Sequence, residues 1–234
     1  MTRILPPLLI VSILGCAGTG RFQREMRQQV GELSYLYDSL KVENKKGETI
    51  SIESFFVDNV LPASTNVEQI NGTIYPFIIY SKWSFNFKSR LGYEQIKNDY
   101  KTFFKESLIE ELKRSAKFRY VDNDSNIEVA VAITNITMTA PIYQNGFNFG
   151  GAHSETVLAG PVDTAITSEV AVKKDGYLLW KKEIQGSNEM SFLQNNYFNA
   201  ETKYFRDYTT AMIESLSQTI KMLNENIVND INKI

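Results

Sequence analysis

Hydrophobic and polar residues alternate along several stretches of the chain, which is the pattern of a strand with one buried face. The clearest alternation places Ile127, Val129 and Val131 on one side of such a strand. Asp175-Gly176 separates two further stretches, and this dipeptide is a strong signal for a tight hairpin turn. The pattern predicts strands at residues 49–57, 73–87, 118–121, 127–139, 162–173 and 177–184, and a polar loop at 62–71.

Three other stretches repeat apolar residues at the spacing of a helix that buries one face. One covers residues 93–116 and ends in a cluster of basic residues, which suits the C-terminal end of a helix. Another runs from Phe205 to Ile231, with Asn199 as its predicted N-cap. The stretch nearest the N-terminus is interrupted only by Gly31, and its apolar positions are Phe22, Met26, Val30, Leu33, Tyr37 and Leu40.

The order of these elements indicates one α+β domain over residues 48–234. One mixed or mainly antiparallel sheet, with two long helices packed on one face, would bury every apolar stripe. The N-terminal amphipathic helix falls within residues 16–47, after a short flexible tether. It could lie on a membrane surface, pair with a partner helix or pack on its own domain.

Residues 140–161, between two predicted strands, are interpreted as a long loop. This segment places Tyr143, Phe147 and Phe149 among glycine, asparagine and proline residues. Long loops inside compact domains often carry function. Two interpretations stay open: the aromatic side chains contact lipid or a protein partner, or the loop folds them back onto the sheet.

The first sixteen residues form a separate unit. Arg3 is the only charged residue before Cys16, and residues 4–14 are apolar apart from two prolines and one serine. This run is too short to span a bilayer as a helix, which takes about 20 residues. It has the length of a signal-peptide core, and residues 1–15 are therefore interpreted as a signal peptide.

The run ends in Ile13-Leu14-Gly15-Cys16, which resembles the lipobox of exported bacterial lipoproteins. Ile13 supplies the aliphatic residue three positions before the cysteine, and Gly15 supplies the small residue directly before it. The resemblance implies cleavage between Gly15 and Cys16 and acylation of the cysteine, palmitate included, as a membrane anchor. Ala17 stands where an aspartate would retain such proteins at the inner membrane, which implies the outer membrane, facing the periplasm.

Composition limits the remaining chemistry. One histidine and one cysteine are too few for a His/Cys zinc site or for a disulfide within the chain. A net charge of -2 argues against nucleic acid as a partner, because phosphate binding needs a basic surplus. His153 follows a glycine-rich segment that lacks the residues of a phosphate-binding loop. We therefore predict no cofactor, no metal site and no catalytic residue, and we interpret the protein as not an enzyme.

The order of elements over residues 73–234, together with Cys16, the Trp180 hairpin and the last helix, is similar to a group of small envelope lipoproteins. The group includes lipopolysaccharide-assembly and transport-auxiliary lipoproteins. The resemblance implies a non-catalytic scaffold or accessory subunit of a membrane-associated assembly, with an envelope protein or a second copy of the chain as partner. The alternative is a lipid- or glycolipid-binding carrier with an apolar groove beneath residues 140–161. A more distant alternative, a carboxylate-based hydrolase, would need converging carboxylates.

Overall fold

The computed structural model describes residues 19–37, 46–57, 60–76, 80–192 and 201–234. Its helices are α1 (19–27), α2 (Tyr100–Ser115) and α3 (Glu201–Ile231), and a 3-10 turn covers Tyr93–Gln95. Its strands are β1 (Lys46–Val57), β2 (Asn66–Pro76), β3 (Tyr80–Arg90), β4 (Phe118–Tyr120), β5 (Ile127–Phe149), β6 (Ala152–Ala159), β7 (Val162–Lys174) and β8 (Tyr177–Met190). The prediction of an α+β fold built on a mixed sheet is therefore confirmed.

Strand β5 runs through two halves of the sheet. Its first half pairs in parallel with β1 and antiparallel with β7, which gives the order β8-β7-β5-β1-β4. Its second half pairs antiparallel with β3 and β6, which gives the order β6-β5-β3-β2. We call these the proximal and the distal half-sheet. Among the described strands, β5 is the only one that belongs to both half-sheets.

The core lies on one face of the sheet and extends from the proximal half-sheet to the base of the distal one. Alternate residues of β5 and β7, from Ile127 and Val162 onward, are fully or almost fully buried. Helix α3 packs against β7 and β8, and α2 packs against α3, β1 and β4. The two helices are joined by a buried hydrogen bond, since the Asn224 side chain donates to the Ser107 hydroxyl at 3.0 Å.

Two predicted helices are shorter than their apolar periodicity suggests. Helix α1 ends at residue 27, and the chain beyond it is irregular as far as residue 37, while Leu40 lies outside the described residues. The Gly31 N–H donates to the Gln95 carbonyl, and the Lys97 N–H donates to the Gly31 carbonyl, each at 2.9 Å. These backbone groups pair across the chain and are therefore unavailable to a helix at either place.

Because of the same pairing, the helix predicted to begin at residue 93 begins at Tyr100. Asp99 caps this start, because its carboxylate accepts from the Lys101 N–H at 3.1 Å and from the Thr102 hydroxyl at 2.5 Å. An aspartate at this position satisfies a backbone donor that has no partner inside the helix.

The strand predicted at residues 73–87 is instead a pair of strands, β2 and β3, with residues 77–79 outside the described part of the chain. Strand β2 begins at Asn66, inside the predicted polar loop. Among the described strands it pairs only with β3, and it is exposed over most of its length. An edge strand of this kind needs no apolar alternation, which is why its sequence resembles a loop.

Candidate functional site

Helix α1 fixes the direction in which the chain enters the domain. Phe22 and Met26 are fully buried, and the Phe22 ring centroid lies 5.0 Å from that of Phe87 and 5.5 Å from that of Phe205. The helix therefore lies on the core-side face of the distal half-sheet. None of the described helices is long and apolar enough to cross a membrane.

The N-terminal end of α1 points toward the far end of the distal half-sheet. There Arg21 forms an ion pair with Glu155 of β6, with 3.4 Å between Nη1 and Oε1. At the other end of the helix, Arg27 donates to the Ser64 hydroxyl at 2.9 Å, just before β2 begins. The predicted lipidation and cleavage residues, Cys16 and Gly15, lie outside the described residues and remain predictions.

The predicted loop over residues 140–161 is in fact a β-hairpin. Strands β5 and β6 pair without interruption from Ile142 opposite Ala159 to Phe149 opposite Ala152. Gly150 and Gly151 form the turn, with φ of 54° and 90°. Both values fall in the left-handed region that glycine adopts without strain, so these two residues allow the chain to reverse.

The outward face of this hairpin carries the three aromatic residues predicted as a contact site. Tyr143 is 39% exposed, Phe147 is 44% exposed and Phe149 is 55% exposed. Side chains at every second position of a strand share a face, so all three lie on the side opposite α1. These exposures favour the interpretation in which the aromatic side chains are available for contact with lipid or a protein partner.

Cross-strand pairing adds further residues to the same face. Phe147 pairs with Lys82, Phe149 pairs with Tyr80, and Lys82 also pairs with Tyr75. We call the combined surface the distal aromatic face, and its members are Tyr75, Tyr80, Lys82, Tyr143, Phe147, Phe149 and Leu158. The sequence did not indicate the residues from β2, β3 and β6, because they join this face only through strand pairing, which the sequence of residues 140–161 does not contain.

His153 lies on the other face of the hairpin, beside Trp83. The two ring centroids are 5.4 Å apart with planes inclined by 23°, and the His153 Nε2 lies 3.8 Å from Oε2 of Glu155. A Cβ on Gly146 would lie 2.3 Å from the Trp83 ring, so this glycine makes room for the indole. The histidine thus has a packing role, and its side chain is 58% exposed.

A polar depression of about 300 Å³ lies on the proximal half-sheet, across β5, β7 and β8. Its lining is mainly threonine, serine and asparagine, with the two carboxylates Asp163 and Glu189. The described residues include no group of three or more metal-ligating side chains.

A second exposed apolar group lies at the opposite end of β5. The β7–β8 hairpin turns at Asp175 and Gly176, with φ of 49° and 81°, which confirms the predicted Asp-Gly turn. Directly after it, Tyr177, Leu178 and Leu179 are 79%, 60% and 45% exposed. Because Lys174 pairs with both Tyr177 and Ile127, this hairpin end lies beside the first residue of β5.

Comparison with known proteins identifies distant structural neighbours only. No protein-family model matches the chain, and no curated protein matches it. The hypothetical protein CT253 from Chlamydia trachomatis aligns with 80% of this chain and 96% of its own, at 10% identity and a TM-score of 0.42. Protein XCC0632 from Xanthomonas campestris, of the DUF330 family, aligns with 88% of this chain and 97% of its own, at 8% identity and a TM-score of 0.40.

Proposed function

We propose that this protein is a lipid-anchored component of the bacterial envelope and acts as a non-catalytic scaffold or accessory subunit of a membrane-associated assembly. Acylated Cys16 holds the domain at the membrane, and the outer membrane, facing the periplasm, is the expected location. The proposal includes two long helices on one face of the sheet and an amphipathic helix after the tether. The contacts of α2 with α3, and of both helices with the sheet, support that arrangement.

The observation that carries the proposal is the placement of exposed apolar side chains at both ends of β5. The distal aromatic face lies at one end, and Tyr177, Leu178 and Leu179 lie at the other. Clustered apolar groups on the surface of a folded domain mark contact sites. Two such groups on one continuous strand suit a protein that joins a membrane to a partner.

The packing beneath the hairpin favours a scaffold over a lipid carrier. A carrier requires an open apolar groove on the core side of residues 140–161. At the base of the hairpin this side is filled, since Phe22, Phe87 and Ile142 are fully buried there.

Replacing Cys16 by alanine tests the anchor. We expect the variant to stay unprocessed and to take up no palmitate analogue, whereas the native chain is cleaved and labelled. Cys16 is the only cysteine, so labelling through a thioether reports this residue alone. The matched control is Ser12→Ala, which changes the same apolar run outside the lipobox and should leave processing and labelling intact.

The scaffold role is tested on the same labelled protein by mild crosslinking in membranes before detergent extraction. We expect one discrete crosslinked species heavier than the monomer. An acylated protein that is recovered only as a monomer would contradict the scaffold while leaving the anchor in place.

A further inference from the structure

The distal aromatic face has the composition of a surface that meets lipid headgroups. Tyrosine and phenylalanine side chains dominate it, and aromatic residues with one polar end are enriched at the boundary between water and bilayer. Tyr75 and Phe149 are 57% and 55% exposed, so these rings are available for contact.

The charge on this face also suits a membrane. Three rows of paired residues, those of Phe147 to Phe149, form the end of the distal half-sheet. On the aromatic face of these rows, the described side chains include one cation, Lys82, and no acidic residue. The acidic residue nearest in sequence, Glu155, lies on the opposite face and is paired with Arg21. A cation among aromatic rings attracts anionic phospholipid headgroups, whereas acidic side chains would be repelled.

Helix α1 brings the anchor to the same end of the molecule. Arg21 contacts Glu155, and Glu155 pairs across the hairpin with Gly146, the residue next to Phe147. Cys16 precedes Thr19, the first described residue, by three positions. Three residues reach about 10 Å when extended, so acyl chains on Cys16 would enter the bilayer close to the hairpin end.

We propose that the end of the distal half-sheet is a second membrane contact, in which Tyr75, Phe147 and Phe149 enter the headgroup region beside the acyl chains. This inference rests on the proposed anchor at Cys16. The anchor holds the domain at the bilayer, and the aromatic side chains fix its orientation there. The partner of this surface is a phospholipid membrane that contains anionic lipid.

The test uses the acylated full protein with one new cysteine for a fluorescent label. Acylation blocks the Cys16 thiol, so a maleimide-linked environment-sensitive fluorophore reacts only with the new residue. The two variants are Phe149→Cys, at the hairpin end, and Tyr177→Cys, which places the label on an exposed aromatic position at the opposite end of β5. Both sites are exposed, so neither change removes a core contact.

The proteins are reconstituted in vesicles of phosphatidylethanolamine and phosphatidylglycerol that contain a nitroxide-labelled lipid. We expect quenching at position 149 to exceed that at position 177 several-fold, with a blue shift at 149 only. Adding Phe147→Ser to the Phe149→Cys variant should reduce the quenching at 149 without reducing acylation of Cys16.

Equal quenching at the two positions would overturn the inference, whether both labels are quenched or neither is. So would a label at 149 that is shielded from aqueous iodide but not quenched by the nitroxide lipid, since that result indicates a second copy of the chain on this face. If the protein is acylated but the label at 149 is not quenched, the membrane contact is contradicted and the anchor at Cys16 is not. A protein with no acyl label on Cys16 overturns the anchor itself and, with it, this inference.

Discussion

At the scale of single residues, the buried carboxylate of Glu111 depends on hydrogen bonds from two hydroxyl groups. Glu111 of α2 is 6% exposed, and it accepts hydrogen bonds from the Tyr35 hydroxyl at 3.0 Å and from the Ser115 hydroxyl. Burial, followed by the charge of Glu111, raises the pKa of Tyr35 far above its usual range. Tyr35 therefore stays protonated at neutral pH and can donate to Glu111.

Replacing Tyr35 by phenylalanine should lower the free energy of unfolding by about 1–3 kcal/mol, because it leaves a buried acceptor short of a donor. Urea denaturation measures this change. The control is Tyr37→Phe, which keeps the ring that lies 4.5 Å from the Arg114 guanidinium and should change stability by less than about 0.5 kcal/mol. An equal loss of unfolding free energy in the two variants would show that the hydrogen bond from Tyr35 to Glu111 does not stabilise the protein.

Asp230 supplies a pH-dependent contribution at the end of α3. Lys182, through a contact of 2.6 Å, and then Lys233, through one of 2.5 Å, lower the pKa of Asp230 below its usual range. Because the pKa of Asp230 is lower in the folded state, its ion pairs stabilise the folded protein fully above the ordinary carboxyl pKa of about 3.9. This stabilisation is lost as the pH falls through the folded-state pKa.

We therefore expect Asp230→Asn to lower stability at neutral pH and to match the native chain in strong acid. Because both lysines are well exposed, the neutral-pH loss should stay below about 1 kcal/mol. Thermal unfolding from neutral to acidic pH measures the difference between the two proteins. A gap that stayed constant over that whole range would contradict the assignment to Asp230.

At the scale of elements, helix α3 and strand β8 are in close contact at Gly186. A Cβ at this position would lie 2.7 Å from the Leu223 backbone nitrogen and 2.8 Å from the Thr219 carbonyl oxygen. Both atoms belong to the backbone of α3, and they cannot move aside as the end of a flexible side chain could. The absence of a side chain here therefore sets the distance between α3 and the sheet.

Gly186→Ala should consequently destabilise the protein by about 1–3 kcal/mol, the usual cost of overpacking a core. Chemical denaturation gives the value. Gly47→Ala is the matched control, since Gly47 also lies in a strand and a Cβ there would meet none of the described residues within 4 Å. A Gly186 variant as stable as the Gly47 variant would show that α3 can shift away without loss.

Elements with long, regular periodicity could be predicted from the sequence. The strand at 127–139 lies within β5, the Asp175-Gly176 hairpin is present, and the last helix ends at Ile231. The prediction failed where distant pairing decides the structure. Gly31 pairs with residues beside Ile96, and the exposed strand β2 pairs with β3, and neither contact leaves a periodic signal in its own segment.

The candidate site could be predicted only in part, for the same reason. Tyr143, Phe147 and Phe149 stand out because aromatic residues are unusual among glycines and asparagines. Tyr75 and Lys82 join them only through the register of β2, β3 and β5, which no local pattern contains. The sequence thus supplied residues of the surface but neither its extent nor the side of the sheet on which it lies.

At the scale of the whole molecule, the continuity of β5 links the two exposed apolar groups. The strand has 23 residues and is the structural element shared by the proximal and distal half-sheets. A register shift between Ile133 and Asn135, opposite β7, marks a β-bulge or irregularity near its middle. Bulges bend strands and increase their twist, so an irregularity here allows β5 to bend between its two halves.

In the proposed membrane-bound arrangement, β5 acts as a spacer between the bilayer and a partner. At about 3.3 Å per residue, 23 residues extend to at most roughly 75 Å. If the hairpin end of β5 lies at the bilayer as proposed, the length of the strand and its bend would set the height of Tyr177 and Leu178 above the lipid. A partner that binds these residues would then be selected by its own distance from the membrane as well as by the shape of its surface.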